Sequence, residues 1–130
     1  MSISTSDLLQ LATTLSNGAG ECEWRSAASR AYYSAYHKVL EVANSCLPPS
    51  PYAIGEHERL TERLKQQGIK GKSLAYVLID LKRVRTKADY KLGESFRQED
   101  ATDLIASCPA LFAKADEFHA LVVAQTAAAP

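Results

Sequence analysis

Hydrophobic residues recur every three to four positions over almost the whole chain, which is the spacing of amphipathic helices. No run alternates convincingly with the period of two that is typical of strands. Two short segments interrupt the helical period: residues 47–51, which contain three prolines, and residues 67–71, which contain two glycines. The pattern therefore predicts helices at about 7–16, 21–46, 56–66, 72–90 and, after Gly93, a last helix to about residue 124.

Polar residues at the helix ends support this division. Ser4 or Ser6 is placed to cap the first helix, and Ser95 with Gln98 has the Ser-x-x-Gln spacing of a capping box before the last. Pro109 is expected to kink the last helix. We predict an all-α, up-and-down bundle of four to five long antiparallel helices, formed by one domain at residues 1–126, with residues 127–130 as a frayed tail.

The composition agrees with a single globular domain. The chain has 130 residues, of which 46% are hydrophobic and 23% charged, and a chain of this size buries enough surface to need no disulfide or metal. No stretch approaches the roughly 20 apolar residues that span a bilayer, and the first residues do not resemble a signal peptide. We expect a cytoplasmic protein without membrane association. Its three cysteines are expected to be reduced and buried: Cys22, Cys46 and Cys108.

The net charge of zero hides an uneven distribution. Residues 59–97 carry eleven basic and four acidic side chains, a balance of +7, while residues 1–58 carry −3 and residues 98–130 carry −4. A basic segment of this kind can attract a polyanion such as RNA. The alternative is a set of solvated helix faces whose charges neutralise one another in the fold.

The second predicted helix has a small-residue side for close packing and a polar side. The polar side carries Arg30, Tyr33, Ser34 and His37 within about 100° of arc. His37 could exchange a proton at cellular pH, and Arg30 could bind a phosphate through two hydrogen bonds. The alternative is a hydrogen-bonded polar seam inside a bundle or dimer.

The fourth predicted helix carries Arg85 on its apolar stripe. A guanidinium there requires a carboxylate, carbonyl groups or a bound anion, and Asp89 is the nearest carboxylate. The two interpretations are an internal Arg85–Asp89 pair and a phosphate-binding arginine, and Lys82 lies on the flank of the same helix. His57 and His119 are interpreted as surface residues, and no cluster of ligand types indicates a metal site.

Two segments resemble the HEPN superfamily, named for higher eukaryotes and prokaryotes nucleotide-binding domains. The first, residues 25–37, is similar to the long-helix signature of small stand-alone members, and reads Arg-Ser-Ala-Ala-Ser-Arg-Ala-Tyr-Tyr-Ser-Ala-Tyr-His. The second, Arg85 to Tyr90, resembles the Arg-x-x-Ala-Asp-Tyr segment of the same group. The resemblance covers residues 21–124, and it implies a helical bundle that forms a homodimer.

The resemblance also implies functions and residue roles. Many members are metal-independent endoribonucleases of toxin–antitoxin or phage-defence systems, with an Arg-x(4–6)-His motif in a cleft shared by two protomers. On this basis Arg30 and Arg85 would hold the phosphate of RNA and His37 would transfer the proton, with no cofactor. Four further residues would contact the substrate: Tyr33, Lys82, Asp89 and Tyr90.

The position of Tyr90 leaves a second interpretation open. Tyrosine stands there where the nucleolytic members carry histidine, and a phenol with a pKa near 10 is a poor base at neutral pH. Other members of the superfamily are non-catalytic and bind a nucleotide, RNA or a partner protein. One such partner is a nucleotidyltransferase antitoxin, which modifies a tyrosine of the motif; in this chain Tyr90 is the candidate for that tyrosine.

Overall fold

The computed structural model describes residues 2–128, and within that range it contains five helices and no strand. The predicted all-α bundle is therefore confirmed. The central helix is α2, which packs against each of the other four helices. The helices are α1 (Thr5–Ser16), α2 (Glu21–Cys46), α3 (Glu56–Lys65), α4 (Gly68–Tyr90) and α5 (Gln98–Ala128).

The small-residue side of α2 forms the centre of the core, as predicted. Ala28, Ala31, Tyr32 and Ala35 are fully buried there, and the three alanines allow α1 and α5 to approach closely. On the polar side, Ser34 agrees with the alternative of a hydrogen-bonded seam inside the bundle. It is fully buried, and its hydroxyl donates a 2.7 Å hydrogen bond to the Thr5 carbonyl at the start of α1.

The connection between α3 and α4 is tighter than predicted. The fourth helix begins at Gly68 instead of residue 72, and Gly68 adopts a φ of +73° that suits glycine. Gly71, expected to break the helix, lies inside it, and a Cβ at Gly71 would stand 2.2 Å from the Leu64 carbonyl oxygen. The two glycines therefore let α4 start directly against the end of α3.

The start of α5 also differs from its prediction. The capping box between Ser95 and Gln98 does not form, because the Gln98 amide donates instead to the Ser16 carbonyl at the end of α1. The Asp100 carboxylate accepts a hydrogen bond from the Arg97 backbone at the start of the helix. The helix continues through Pro109 to residue 128, so 127 and 128 are helical, and 129–130 lie outside the described residues.

All three cysteines are free thiols, as predicted, but they differ in burial. Cys108 is buried and Cys46 half-buried, whereas Cys22 is exposed, so the expectation of a buried side chain is wrong for Cys22. No helix within residues 2–128 combines the length and the apolar character needed to cross a membrane.

Candidate functional site

Arg85 occupies the buried face of α4 without a hydrogen-bond partner. The residue is only 5% exposed, and its Nε atom has no partner among residues 2–128. Its nearest carboxylate oxygen is Oδ2 of Asp89, 3.6 Å from Nη1, which is an ion-pair contact longer than a hydrogen bond. The structure thus confirms the burial predicted from the apolar stripe.

Tyrosine rings surround the Arg85 guanidinium. Its Cζ atom lies 5.4 Å from the ring centres of Tyr32 and Tyr33 and 5.6 Å from that of Tyr90. These are cation–π distances, so the rings stabilise the charge without satisfying the N–H groups. Arg30 lies 5.3 Å from the Tyr33 ring, so both arginines contact the same aromatic side chain.

A second buried arginine shows how this fold satisfies a guanidinium when its role is structural. Arg25 is 7% exposed and lies five residues before Arg30 on α2. Its Nη atoms donate to backbone carbonyls at the end of α4 and in the loop that follows, and its Cζ lies 5.4 Å from the Phe96 ring. The acceptors are the carbonyls of Lys87, Ala88, Lys91 and Glu94. Arg85 has no comparable set of acceptors within the part of the chain that the structure describes.

The Asp89 carboxylate is held between α2 and α4. It accepts a 3.1 Å hydrogen bond from the Ser29 hydroxyl, and its side chain is 30% exposed. Because a water molecule can reach this carboxylate, Asp89 neutralises Arg85 only in part. The predicted Arg85–Asp89 contact is therefore present, but it leaves donors of the guanidinium free.

His57, interpreted from the sequence as a surface residue, is half-buried against the tyrosines of α2. Its Nδ1 atom shares a 2.6 Å hydrogen bond with the Tyr32 hydroxyl, and its ring centre lies 4.5 Å from that of Tyr36. Burial, then the positive charges of Lys82 and Arg85, hold the pKa of His57 below its ordinary value. Burial raises the pKa of Tyr32, so the pair is neutral at pH 7: an imidazole bonded to a phenol.

His37 lies at the edge of this arrangement. Its side chain is exposed, and its ring centre is 6.3 Å from that of Tyr33 and 5.3 Å from that of Tyr36. On its other side it lines an open groove of about 760 Å³ beside Ile3 and Leu8 at the start of α1. The imidazole nearest the Arg85 environment is therefore His57, which sequence reasoning missed.

Lys82 is engaged elsewhere. Its ammonium forms a 2.9 Å ion pair with Glu58, the neighbour of His57 on α3, and this contact lowers the pKa of Glu58. Lys82 thus joins α4 to α3 beside the candidate site. His119, the other predicted surface histidine, is half-buried on α5 and lines a shallow groove with Lys38 and Asp116.

Five of the seven residues predicted for the site come together around Arg85 and Tyr33: Arg30, Tyr33, Arg85, Asp89 and Tyr90. Three residues that were not selected from the sequence join them, Tyr32, Tyr36 and His57, and we name the eight residues together the Arg85 cluster. Its elements are the middle of α2, the start of α3 and the end of α4. The cluster offers cations, phenol rings and a neutral imidazole, which can bind an anion and exchange a proton.

Within residues 2–128 no three His, Cys, Asp or Glu side chains are grouped as metal ligands would be. Comparison of the chain with protein-family models, with curated proteins and with solved structures found no match.

Proposed function

We propose that this protein binds RNA, with one phosphate group held at Arg85. The observation that carries the proposal is the buried Arg85 guanidinium, which no described residue satisfies by a hydrogen bond. Leaving the Nε–H group of a buried guanidinium unpaired is costly, and the oxygens of a phosphate are suitable acceptors. Arg30, whose Cζ atom lies 5.3 Å from the ring centre of Tyr33, supplies a second positive charge to the cluster.

The aromatic residues of the cluster favour a nucleotide over a free inorganic anion. Tyr90 is 73% exposed and lies next to Arg85, so its ring can stack on a base attached to the bound phosphate. The +7 balance of residues 59–97 attracts a polyanion to this part of the molecule.

Cleavage of the bound RNA without a metal ion is the second step of the proposal. The 2′-oxygen attacks the adjacent phosphorus, the bond to the 5′-oxygen breaks, and the 2′-hydroxyl proton passes to an imidazole while water protonates the leaving oxygen. Arg30 and Arg85 stabilise the negative charge that develops on the phosphate. His57 is neutral, and when its Nδ1–H group donates to the Tyr32 hydroxyl its Nε2 atom is free to accept the proton; His37 is the alternative. The HEPN resemblance adds a dimer cleft and a toxin–antitoxin or phage-defence role.

The test is binding and cleavage of single-stranded RNA in EDTA by the native protein and by variants. Arg85→Met should weaken binding at least tenfold, whereas Arg97→Met, which removes an exposed cation from the same basic segment, should change it little. His57→Gln and His37→Gln should each retain binding, and the loss of cleavage identifies the imidazole that accepts the proton. Native-like binding by Arg85→Met would refute the proposal.

A second candidate function is a non-catalytic module that binds a nucleotide or a partner protein, including a nucleotidyltransferase antitoxin. The exposed ring of Tyr90 favours it, because a modifying enzyme can reach this hydroxyl beside the Arg85 charge. In that case RNA stays intact in EDTA. Incubation of the protein with a nucleotidyltransferase encoded by an adjacent gene and a nucleoside triphosphate should increase the mass of the protein by one nucleotide. Tyr90→Phe should abolish that mass shift, and its persistence would exclude Tyr90 as the acceptor.

A further inference from the structure

The exposed side of α4 carries a row of large side chains that the Arg85 cluster does not use. Ile69, Tyr76, Arg83 and Tyr90 are spaced seven residues apart, which places them along one side of the helix. All four are exposed, and Tyr76 and Tyr90 are 55% and 73% exposed. The buried residues of α4, Arg85 included, lie on the opposite side, so no helix of the described chain covers this row.

Positive charges accompany the rings along this side. The ammonium of Lys65, at the end of α3, lies 5.4 Å from the Tyr76 ring centre, and Lys72 and Lys87 project from the same side of α4. The one carboxylate in the row is Asp80, which pairs with Arg83 at 3.0 Å. Because both members of that pair are largely exposed, the pair is weak and Arg83 can turn to another anion.

We propose that this side of α4, which we name the α4 track, binds single-stranded RNA and leads it past Tyr90, at the end of the helix, around to Arg85 on the other side. The inference rests on the proposed function and names the form of its substrate. Exposed tyrosines alternating with cations are the groups that stack on bases and contact phosphates in proteins that bind single strands. A duplex does not offer its base faces to such rings, so the track selects unpaired RNA.

The length of the track sets the size of the ligand. Fourteen residues separate Tyr76 from Tyr90, which corresponds to about 21 Å along a helix. A dinucleotide at Arg85 therefore contacts Tyr90 but not Tyr76, whereas an oligonucleotide reaches both. Tyr90 belongs to the track and to the Arg85 cluster, so it is the point where the two join.

The experiment compares two exposed tyrosines by fluorescence anisotropy. The probes are a single-stranded 2′-O-methyl RNA of about twelve nucleotides, which the 2′-oxygen cannot cleave, its duplex, and a labelled dinucleotide. Tyr76→Ala should weaken binding of the single strand about tenfold and leave the dinucleotide unaffected. Tyr52→Ala is the matched control, because Tyr52 is also 55% exposed but lies in the loop before α3, and it should bind as the native protein does.

Two outcomes would overturn the track: native affinity of Tyr76→Ala for the single strand, or equally tight binding of the duplex. Arg85→Met separates this inference from the proposed function. If Arg85→Met weakens binding of both single-stranded probes while Tyr76→Ala weakens neither, the Arg85 site stands and the track is refuted. If Tyr76→Ala weakens the long probe but Arg85→Met has no effect, the track is an RNA surface independent of Arg85. Failure of every probe to bind would refute both.

Discussion

Replacing each buried arginine with methionine tests whether Arg85 is a ligand-binding group or a structural one. Arg25 and Arg85 are 7% and 5% exposed, so the two substitutions remove a charge from equally buried positions. Methionine keeps an unbranched stem of similar length and introduces no polar atom. The two variants therefore differ mainly in the hydrogen bonds that are lost.

The expected losses follow from the contacts of each guanidinium. Arg25 donates to four carbonyls, and a hydrogen bond from a charged donor contributes about 1.5–3 kcal/mol, although neighbouring bonds do not add fully. Arg25→Met should therefore lower the free energy of unfolding by about 3–4 kcal/mol. Arg85→Met loses only cation–π contacts and a partly solvated ion pair, and it removes the desolvation cost of the charge. Its free energy of unfolding should stay within about 1 kcal/mol of the native value.

Urea unfolding at neutral pH measures both values, followed by the fluorescence of Trp24, which is the single tryptophan, and by far-ultraviolet circular dichroism. With a slope of about 2 kcal/mol per molar urea, Arg25→Met should lower the midpoint by about 1.5–2 M. Agreement of the two signals shows that unfolding is two-state. If Arg85→Met lowers the midpoint as much as Arg25→Met does, Arg85 is a structural residue and the argument for an unsatisfied anion site fails.

Three further predictions concern single residues. The fold lowers the pKa of His57, so below about pH 6.5 the unfolded chain binds more protons than the folded protein, and the free energy of unfolding should decrease as the pH falls. Urea midpoints measured across this pH range should show the decrease, and His57→Gln should reduce it. Gly71→Ala should lower the free energy of unfolding by about 2–3 kcal/mol, because its Cβ would meet a backbone carbonyl of α3, whereas Gly93→Ala, with open space around it, should be neutral in the same assay. Cys22 should react with a thiol reagent at once, whereas Cys108, whose pKa burial raises to about 11, should react only as the protein unfolds; rapid labelling of Cys108 would contradict the described core.

The helices could be predicted because their hydrophobic period is local information. The bounds of α2 agree with the prediction, since the prolines after residue 47 and Gly20 fix its two ends. The start of α4 could not be predicted, because Gly71 is read as a helix breaker unless its closeness to the preceding helix is known. The hydrogen bond from the Gln98 amide to a carbonyl of α1 could not be predicted either, because the two residues are 82 positions apart in the sequence.

The candidate site divides in the same way. The position of Arg85 on an apolar stripe predicted its burial, and Asp89 one turn later predicted its ionic contact. The place of His57 depends on how the proline-containing segment returns α3 to α2, and its partner Tyr32 is 25 residues away. Tyr32 looked like an ordinary core residue because only its ring is needed to fill the core, while its hydroxyl reaches the imidazole.

The carbonyl contacts of Arg25 have a consequence for how the site comes into being during folding. They join the start of α2 to a segment more than 60 residues later, residues 87–94, which contains Tyr90. Neither helix alone can give that segment its shape, so a peptide of α4 would not present the site, however helical it became. Partial opening that separates the two helices should abolish ligand affinity before the helical content falls, and binding can thus report on the integrity of the whole bundle.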